Sequence, residues 1–259
     1  MRSGNVVLVG AGPGHVDFLT IAGLKAIQAA EVILYDALLT PDIRRLFPTK
    51  AKALYVGKRC GHHALKQNQI NDLLISYAQS GYEVVRLKGG DPFIFGRGAE
   101  EVEALRAANC SYRIVPGISA LNGIAAQVSL PLTSRSDANE FRALQGHSLP
   151  SDPMYWQDLA RYNGTVVIFM GIENLPEIAR RLCEAGARPD TELAVIETDE
   201  DGRQHVTRSN HQSIIEFGFD KKTNGPGIIY LGPNIKLMNY EVIPLPEEIR
   251  HVQVLAHIP

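Results

Sequence analysis

The stretch of this sequence with the clearest chemical potential is a glycine-rich segment that follows an apolar, β-branched run. Residues 87–98 read LKGGDPFIFGRG, with four glycines, one aspartate and two aromatic side chains. Gly89 and Gly90 would let a ligand approach the main chain, and Asp91 could pair with an ammonium group or a ribose hydroxyl. Because ligands of open α/β sheets bind outside the carboxyl ends of the strands, the segment predicts a small-molecule site.

A second glycine cluster, GAGPG at residues 10–14, follows the first apolar run. Together with Asp36 after the second run, it resembles a dinucleotide-binding fingerprint. The third glycine of that fingerprint would fall at position 15, which is His15. Pro13 also lacks the N–H that a phosphate would use. An oxidoreductase using NAD(P) therefore stays an alternative, beside a merely structural turn between strand and helix.

Cations concentrate after the third apolar run, where residues 55–63 read YVGKRCGHH. With Arg135, Arg142 and His147 they could form an anion-binding wall, although a solvated charged loop explains residues 55–63 equally well. The two adjacent histidines lack obvious partner ligands, so we expect no metal site.

Composition narrows the class of protein. The chain has 259 residues, is 45% hydrophobic and carries a formal net charge of −2, which disfavours a general nucleic-acid binder. It contains no apolar run of bilayer length and no signal-peptide core. Three cysteines without a Cys-x-x-Cys pair fit free thiols in a reducing compartment. We expect a cytoplasmic protein with no membrane partner.

Strands and helices alternate in the first half, which predicts a mostly parallel sheet covered on both faces. The helix after the first strand is expected to begin at an Asp17 cap. The predicted strands are 5–9, 32–35, 54–56, 83–87 and 112–115, and the predicted helices are 17–30, a short one from 40, 66–79 and 98–108.

The pattern changes in the second half, where hairpin-like spacing predicts a mixed sheet. We place a domain joint near Pro131, giving an N-terminal αβα domain over 1–131, a C-terminal αβα domain over 132–241 and a tail over 242–259. The predicted strands are 165–169, 192–196, 204–207 and 227–231, and the predicted helices are 175–184 and 210–217.

Several motifs occur together in one order over roughly residues 5 to 235. They are VGAGPG at 9–14, LYD at 34–36, YVGKR at 55–59, the loop 89–98, VPGIS at 115–119, PLT at 131–133 and the run 167–171. In this order the chain resembles the uroporphyrinogen-III C-methyltransferases of the tetrapyrrole methylase family. The co-occurrence is far more specific than any single motif.

This resemblance implies a homodimer of two-domain subunits with the active site in the cleft between the domains. It implies that S-adenosylmethionine methylates carbons 2 and 7 of uroporphyrinogen III, giving precorrin-2 for sirohaem or cobalamin. Asp36 matches the family's proposed proton acceptor and Lys58 its proposed proton donor. The matching cofactor positions are Pro13, Gly89, Gly90, Asp91, Ile94, Ser119, Ala120 and Met170.

The chemistry of that reaction agrees with the residues present. A base must take one proton as the methylated ring rearranges, and Asp36 is a candidate. The substrate carries many carboxylates, for which cationic side chains are suitable partners. The candidates are Lys58, Arg59, Arg97, Arg135 and Arg142.

The chain departs from the family pattern at Ser134, at Gln145 and near the adenine, where Asp199 replaces a glycine. A paralogue acting on another precorrin, or an inactive homologue, is therefore an alternative. We expect Asp199→Gly to tighten cofactor binding by about 1 kcal/mol, because a side chain there crowds the ring. Since the first strand starts at once, we also expect no fused dehydrogenase-chelatase domain.

Overall fold

The computed structural model describes residues 4–57 and 65–238. Lys58 and Arg59, with the rest of the segment 58–64, lie outside the described residues, and so does the predicted tail. The described chain forms two five-stranded sheets with helices packed on them. This confirms the predicted α/β class, with a parallel first sheet and a mixed second sheet.

The first sheet is parallel throughout, with the strand order β3-β2-β4-β1-β5. Its elements are β1 (Asn5–Gly10), α1 (Ile21–Gln28), β2 (Val32–Tyr35), α2 (Pro41–Arg44), β3 (Lys52–Tyr55), α3 (Gln67–Gln79), β4 (Glu83–Lys88), α4 (Gly98–Ala107) and β5 (Ser111–Val115). The carboxyl ends of β4, β1 and β5 lie side by side, so the loops that follow them meet at one edge.

Helices bury both faces of this sheet, which explains why its central strands are apolar without alternation. Val7 and Val9 pack on the α1 side, whereas Val6 and Leu8 pack on the side of α3 and α4. A charged residue in the middle of such a strand is therefore exceptional, and β4 contains Arg86.

The predicted start of the first helix was wrong. Asp17 lies in a separate 3-10 turn, Val16–Phe18, and α1 begins only at Ile21. Thr20 is the N-cap, and its hydroxyl accepts a hydrogen bond from Gly23 N at 3.0 Å. Thr20, and not Asp17, caps this helix because its hydroxyl oxygen reaches a free N–H group of the first helical turn.

The second sheet has the strand order β6-β7-β10-β8-β9, in which only the β6–β7 pair is parallel. Its elements are α5 (Ala120–Gln127), β6 (Phe141–Gln145), α6 (Pro153–Ala160), β7 (Thr165–Phe169), α7 (Leu175–Glu184), β8 (Glu192–Thr198), β9 (Gln204–Asn210), α8 (His211–Phe217), β10 (Gly227–Leu231) and a closing 3-10 helix, Pro233–Leu237.

The strand β6 and the helix α6 have no counterpart in the sequence-based prediction. β6 is an edge strand with no buried residue, so its sequence lacks a strong apolar signal. α6 is short, with Asp152 as its N-cap and Pro153 in its first turn. The Asp152 carboxylate accepts a hydrogen bond from Met154 N at 2.9 Å.

The helix α5 precedes the predicted joint at Pro131, yet it packs against the second sheet. Ile124 and Ala125 share one buried cluster with Val167 and Ile196. The Tyr230 hydroxyl lies 3.2 Å from the carbonyl oxygen of Ala120, at the first turn of the helix. α5 thus ties the loops of the first sheet to the strands of the second. Within the described ranges, no helix has the length and apolarity to cross a bilayer.

Candidate functional site

Three glycines meet where β4, β1 and β5 end. A β-carbon added to Gly117 would lie 2.2 Å from the carbonyl oxygen of Gly90, and one added to Gly10 would lie 2.5 Å from the Gly117 nitrogen. Both distances are far below van der Waals contact, and the atoms approached belong to the main chain. Only glycine at Gly10 and Gly117 lets the three loops come this close.

The two glycine clusters of the sequence pair with each other. Gly90 N donates to the carbonyl of Gly12 at 2.8 Å, and Gly12 N donates to the carbonyl of Gly90 at 3.2 Å. Both residues have positive φ, +81° at Gly12 and +67° at Gly90, where glycine is the least strained residue. The two motifs, recognised separately in the sequence, therefore form one structural unit.

Asp91 fastens this unit to the loop after β5. One carboxylate oxygen accepts from Gly117 N at 3.0 Å, and the other accepts from Phe93 N at 2.8 Å. The sequence-based hypothesis gave Asp91 an ammonium or ribose partner. In the structure both oxygens bond to main-chain N–H groups, and each oxygen keeps acceptor capacity for a ligand.

Beside Gly90 there is space for a ligand. Among the described residues, a β-carbon on Gly90 would meet only the Ala120 nitrogen, at 3.8 Å, within contact range. The facing element is the first turn of α5, whose N-cap Ser119 is buried and accepts from Leu121 N at 3.2 Å. Peptide groups of Gly90 and Ala120 thus form a cradle that a side chain on Gly90 would enter.

Apolar side chains form the rim of this region. Phe93, Ile94 and Met170 remain 53%, 41% and 50% exposed. The ring of Phe95 lies 4.9 Å, centroid to centroid, from that of Phe169 at the end of β7. Phe95 and Met170 also have positive φ, which is costly for residues other than glycine and typical of binding sites. The loop after β4 and the end of β7 therefore lie together.

Asp36 follows β2, with its side chain 22% exposed. Its Oδ1 accepts from Leu38 N at 3.3 Å, and its Oδ2 lies 3.6 Å from an Arg86 guanidinium nitrogen. Gly57 packs on the following peptide, since a β-carbon there would lie 2.5 Å from the Ala37 nitrogen. The residue before Lys58 is thus adjacent to Asp36, although Lys58 itself lies outside the described residues.

A cluster of buried charged side chains lies behind Asp36, and the sequence-based prediction did not include it. The fully buried Glu101 Oε1 accepts from Arg86 Nε at 2.9 Å and from Lys88 Nζ at 3.0 Å. Burial lowers the pKa of the Lys88 amine, and the charge of Arg86 lowers it further against the opposing effect of Glu101. The available signal was two cations, at positions 86 and 88, within an apolar strand.

The cationic side chains that were predicted to bind the carboxylates of the substrate do not all lie together in the structure. Arg97 forms a two-pronged pair with Glu100, at 2.8 and 2.7 Å. Arg142 pairs with Asp158 and stacks on Tyr162, its guanidinium carbon 4.0 Å from the ring centroid. By strand alternation Arg142 shares a face with Val166, opposite to that of Phe169.

The departures from the family pattern have structural consequences of their own. Ser134 Oγ accepts from Asp137 N at 3.1 Å and donates to Asn234 Oδ1 at 3.0 Å, holding a turn that carries the exposed Arg135. Gln145 hydrogen-bonds the imidazole of His147. Both side chains are therefore committed to local contacts.

Asp199 folds into its own turn between β8 and β9. Its Oδ1 accepts from Asp201 N at 3.0 Å and from Arg203 N at 2.9 Å, and its Oδ2 lies 2.9 Å from His205 Nε2. Burial opposes ionisation, but the hydrogen bonds from His205 and the main chain prevail and lower the pKa of Asp199. Asp199 also does not have positive φ, so its backbone conformation does not require glycine.

Comparison with known proteins identifies the family of this chain. The model of the Tetrapyrrole (Corrin/Porphyrin) Methylases matches residues 5–214. The chain belongs to this family. The siroheme synthase of Tolumonas auensis is 45% identical over 230 residues, and that of Edwardsiella ictaluri is 45% identical over 237 residues. Those alignments cover 88% and 92% of this chain but 49% and 51% of the relatives, so the chain spans about half their length.

Solved structures agree. The uroporphyrin-III C-methyl transferase of Thermus thermophilus, complexed with S-adenyl homocysteine, is 32% identical to this tetrapyrrole methylase, with a TM-score of 0.77. The superposition covers 90% of this chain and all of the Thermus chain. The resemblance found in the motifs is confirmed. Family membership also favours methyl transfer over the alternative of an NAD(P)-linked oxidoreductase.

Proposed function

We propose that this tetrapyrrole methylase is an S-adenosylmethionine-dependent C-methyltransferase that converts uroporphyrinogen III to precorrin-2. The observation that carries the proposal is the Gly12–Gly90 bridge with its open cradle against the first turn of α5. The Thermus relative, a uroporphyrin-III C-methyl transferase complexed with S-adenyl homocysteine, superposes on 90% of this chain.

The cradle suits the cofactor because main-chain groups can bond its polar parts while the apolar rim excludes water. Gly89 brings the loop close to Leu38, since a β-carbon there would lie 2.6 Å from the Leu38 β-carbon. When bound, the cofactor supplies an activated methyl group on a sulfonium. The residues assigned to it are Pro13, Gly89, Gly90, Asp91, Ile94, Ser119, Ala120, Met170 and the turn of Asp199.

Asp36 is assigned the proton-accepting role. Carbon–carbon bond formation at a pyrrole carbon leaves one proton to be removed from the tetrapyrrole. Asp36 is held at a strand end by Leu38 N and faces solvent with about a fifth of its side chain, so its carboxylate can be reached by a substrate. Lys58 follows the glycine packed against Asp36 and is assigned as proton donor.

Substrate carboxylates would be bound by cations around this region. Arg135 is exposed at the tip of its turn, and Arg97 lies on the same loop as the apolar rim. We assign these two, with Arg59, to carboxylate binding. Arg142 is a weaker candidate, because its guanidinium is already engaged on the other face of the second sheet.

The test is anaerobic incubation with uroporphyrinogen III and S-adenosylmethionine, followed by mass spectrometry. We expect a product carrying two added methyl groups. Asp36→Asn should lower kcat by about 100-fold or more, a typical loss for a missing general base. Its affinity for S-adenosylhomocysteine should stay near that of the wild type.

Asp42→Asn is a matched control, since Asp42 is an exposed aspartate paired with Arg45 in the following short helix. Methylation of another precorrin but not of uroporphyrinogen III would indicate a paralogue. Cofactor binding without turnover of any tetrapyrrole would indicate an inactive homologue, and binding of NADH instead would refute the proposal.

A further inference from the structure

Arg86 connects the proposed base with the interior of the first domain. Its Nε lies 2.9 Å from Glu101 Oε1, while another guanidinium nitrogen lies 3.6 Å from Asp36 Oδ2. The side chain is only 4% exposed. One planar cation thus lies between a fully buried carboxylate and a carboxylate that faces the site.

The position of Arg86 is fixed on several sides. Its Nη1 donates to the carbonyl oxygens of Leu87 at 3.1 Å and Leu34 at 3.4 Å. Glu101, which supplies the strongest contact, is held in the first turn of α4 and also accepts from Gln67 Nε2 at 3.3 Å. The guanidinium therefore has little freedom to turn away from Asp36.

The unequal distances matter chemically. Glu101 takes the short, charge-assisted bond, which leaves Asp36 with a longer contact. A carboxylate in a tight two-pronged pair with arginine is a poor base, because the cation stabilises its ionised form. A looser contact orients the carboxylate while leaving an oxygen able to take a proton.

Stability does not explain this arrangement. Burying ion pairs costs desolvation that often cancels their attraction, and replacing such a group by apolar side chains of similar volume is often neutral or stabilising. Here two cations, Arg86 and Lys88, share one oxygen of Glu101, and Glu101 Oε2 has no hydrogen-bond partner among the described residues. The arrangement is costly and lies directly behind Asp36.

We propose that Arg86, anchored by Glu101, is a positioning residue that sets the orientation of the Asp36 carboxylate for proton removal. The proposal rests on the proposed function in so far as Asp36 is the base. Among the described residues, the charged groups facing Asp36 are Arg86 and Lys88 of β4, with Glu101 of α4 behind them.

A double-mutant cycle on the full chain tests the kinetic part. Arg86→Gln should lower kcat with uroporphyrinogen III by about 30-fold, with KM and the Kd of S-adenosylhomocysteine changed less than threefold. In an Asp36→Asn background the same change should have no further effect on kcat, because Arg86 acts through Asp36. Multiplying losses in the double variant would show a purely structural role and overturn the proposal.

Matched variants guard against misfolding. Arg86→Lys can still reach Glu101 but lacks the second arm toward Asp36, so it should lose kcat like Arg86→Gln. A wild-type kcat in Arg86→Lys overturns the proposal even if Arg86→Gln does not fold. Arg106→Gln is the control, since Arg106 is an exposed arginine of α4 that bonds Tyr112; it should leave kcat unchanged.

A turnover-independent readout separates this inference from the proposed function. Crystal structures of the wild type, Arg86→Gln and Arg86→Lys should be compared with S-adenosylhomocysteine bound. We expect Asp36 to adopt another rotamer in both variants, while the Gly89–Gly90 main chain stays in place. An unchanged Asp36 carboxylate overturns the positioning role, whatever substrate the wild type accepts.

Discussion

The two sheets contribute different kinds of chemical group to the candidate site. The first sheet presents main chain, with Gly10, Gly90 and Gly117 in mutual contact at the ends of adjacent strands. The second sheet presents side chains, namely the Phe169 ring and, in the β8–β9 hairpin, the turn of Asp199 that we propose to lie beside the cofactor. A peptide group cannot turn aside when a neighbour grows, whereas a side chain or its turn can adjust.

This difference predicts where substitutions are tolerated. Gly10, Gly90 and Gly117 form the first wall of the candidate site, where an added β-carbon meets main chain or enters ligand space, so even alanine changes the site. The Phe169 ring and the Asp199 turn form the second wall, where the loss of a side chain removes a few hydrogen bonds and leaves the strands in register. The variants below test that contrast, beginning with the largest expected effect.

Gly117→Ala should be the most damaging single change. Its β-carbon would lie 2.2 Å from the Gly90 carbonyl oxygen and 2.7 Å from the Gly10 carbonyl carbon, both main-chain atoms. Moving the loops apart should cost about 3 kcal/mol of unfolding free energy, at the upper end for overpacking. Chemical denaturation measures it, and a loss below about 1 kcal/mol would mean that the loops separate easily.

Gly90→Asn should abolish cofactor binding without unfolding the chain. Asparagine tolerates the positive φ of Gly90 better than other side chains, and its β-carbon meets only the Ala120 nitrogen at 3.8 Å. The amide would then occupy the cradle. Calorimetry with S-adenosylhomocysteine should show a loss of about 100-fold or more, equivalent to about 2.7 kcal/mol.

Gly186→Asn is the matched control for this change. Gly186 also has positive φ, +103°, but a β-carbon there meets nothing within 4 Å. Its variant should bind S-adenosylhomocysteine like the wild type. Undiminished affinity in Gly90→Asn would place the cofactor elsewhere and weaken the contrast between the two walls.

The parts of the fold that the sequence predicted follow from periodicity and glycine placement. Val6 to Val9 of β1 and the whole of β2 are continuous apolar runs, and the predicted bounds 32–35 match β2 as observed. The second-sheet strand 165–169 and the helix 175–184 also match. β6 was not predicted because an exposed edge strand lacks the run of apolar residues that marks a buried strand.

The site itself was predictable only in part. Glycine clusters predict a close approach of main-chain segments. The pairing of Gly12 with Gly90 depends on tertiary structure that no local sequence pattern indicates. The engagement of Arg142 with Asp158 follows from which face of β6 is turned inward. Glu101 is an ordinary acidic residue of a first helical turn in sequence, and only burial reveals its partnership with Arg86 and Lys88.

Asp199 gives the smallest and most discriminating test, because its contacts in the structure favour the outcome opposite to the sequence-based prediction. The prediction that Asp199→Gly tightens cofactor binding required a side chain facing the ring. The carboxylate instead holds the turn 199–203, and that turn approaches the start of α2, where a β-carbon on Gly202 would lie 3.9 Å from Thr40 Cγ2. We now expect Asp199→Gly to loosen the turn and weaken S-adenosylhomocysteine binding by about 1 kcal/mol, roughly fivefold.

A pH series on Asp199→Asn isolates the charge from the shape. The folded-state pKa of Asp199 is lowered, so its ionised form stabilises the native chain above the unfolded value of about 4. That contribution is lost as the pH falls through the folded value. Asp199→Asn should therefore be less stable than the wild type at pH 7, by about 1 kcal/mol, and the difference should shrink below pH 4. If the stability difference does not depend on pH, the charge of the Asp199 carboxylate contributes nothing to stability, and its contact with His205 is not a stabilising charge pair.

Tighter binding of S-adenosylhomocysteine by Asp199→Gly would instead support the crowding argument. It would mean that the second wall is as sensitive to added atoms as the first.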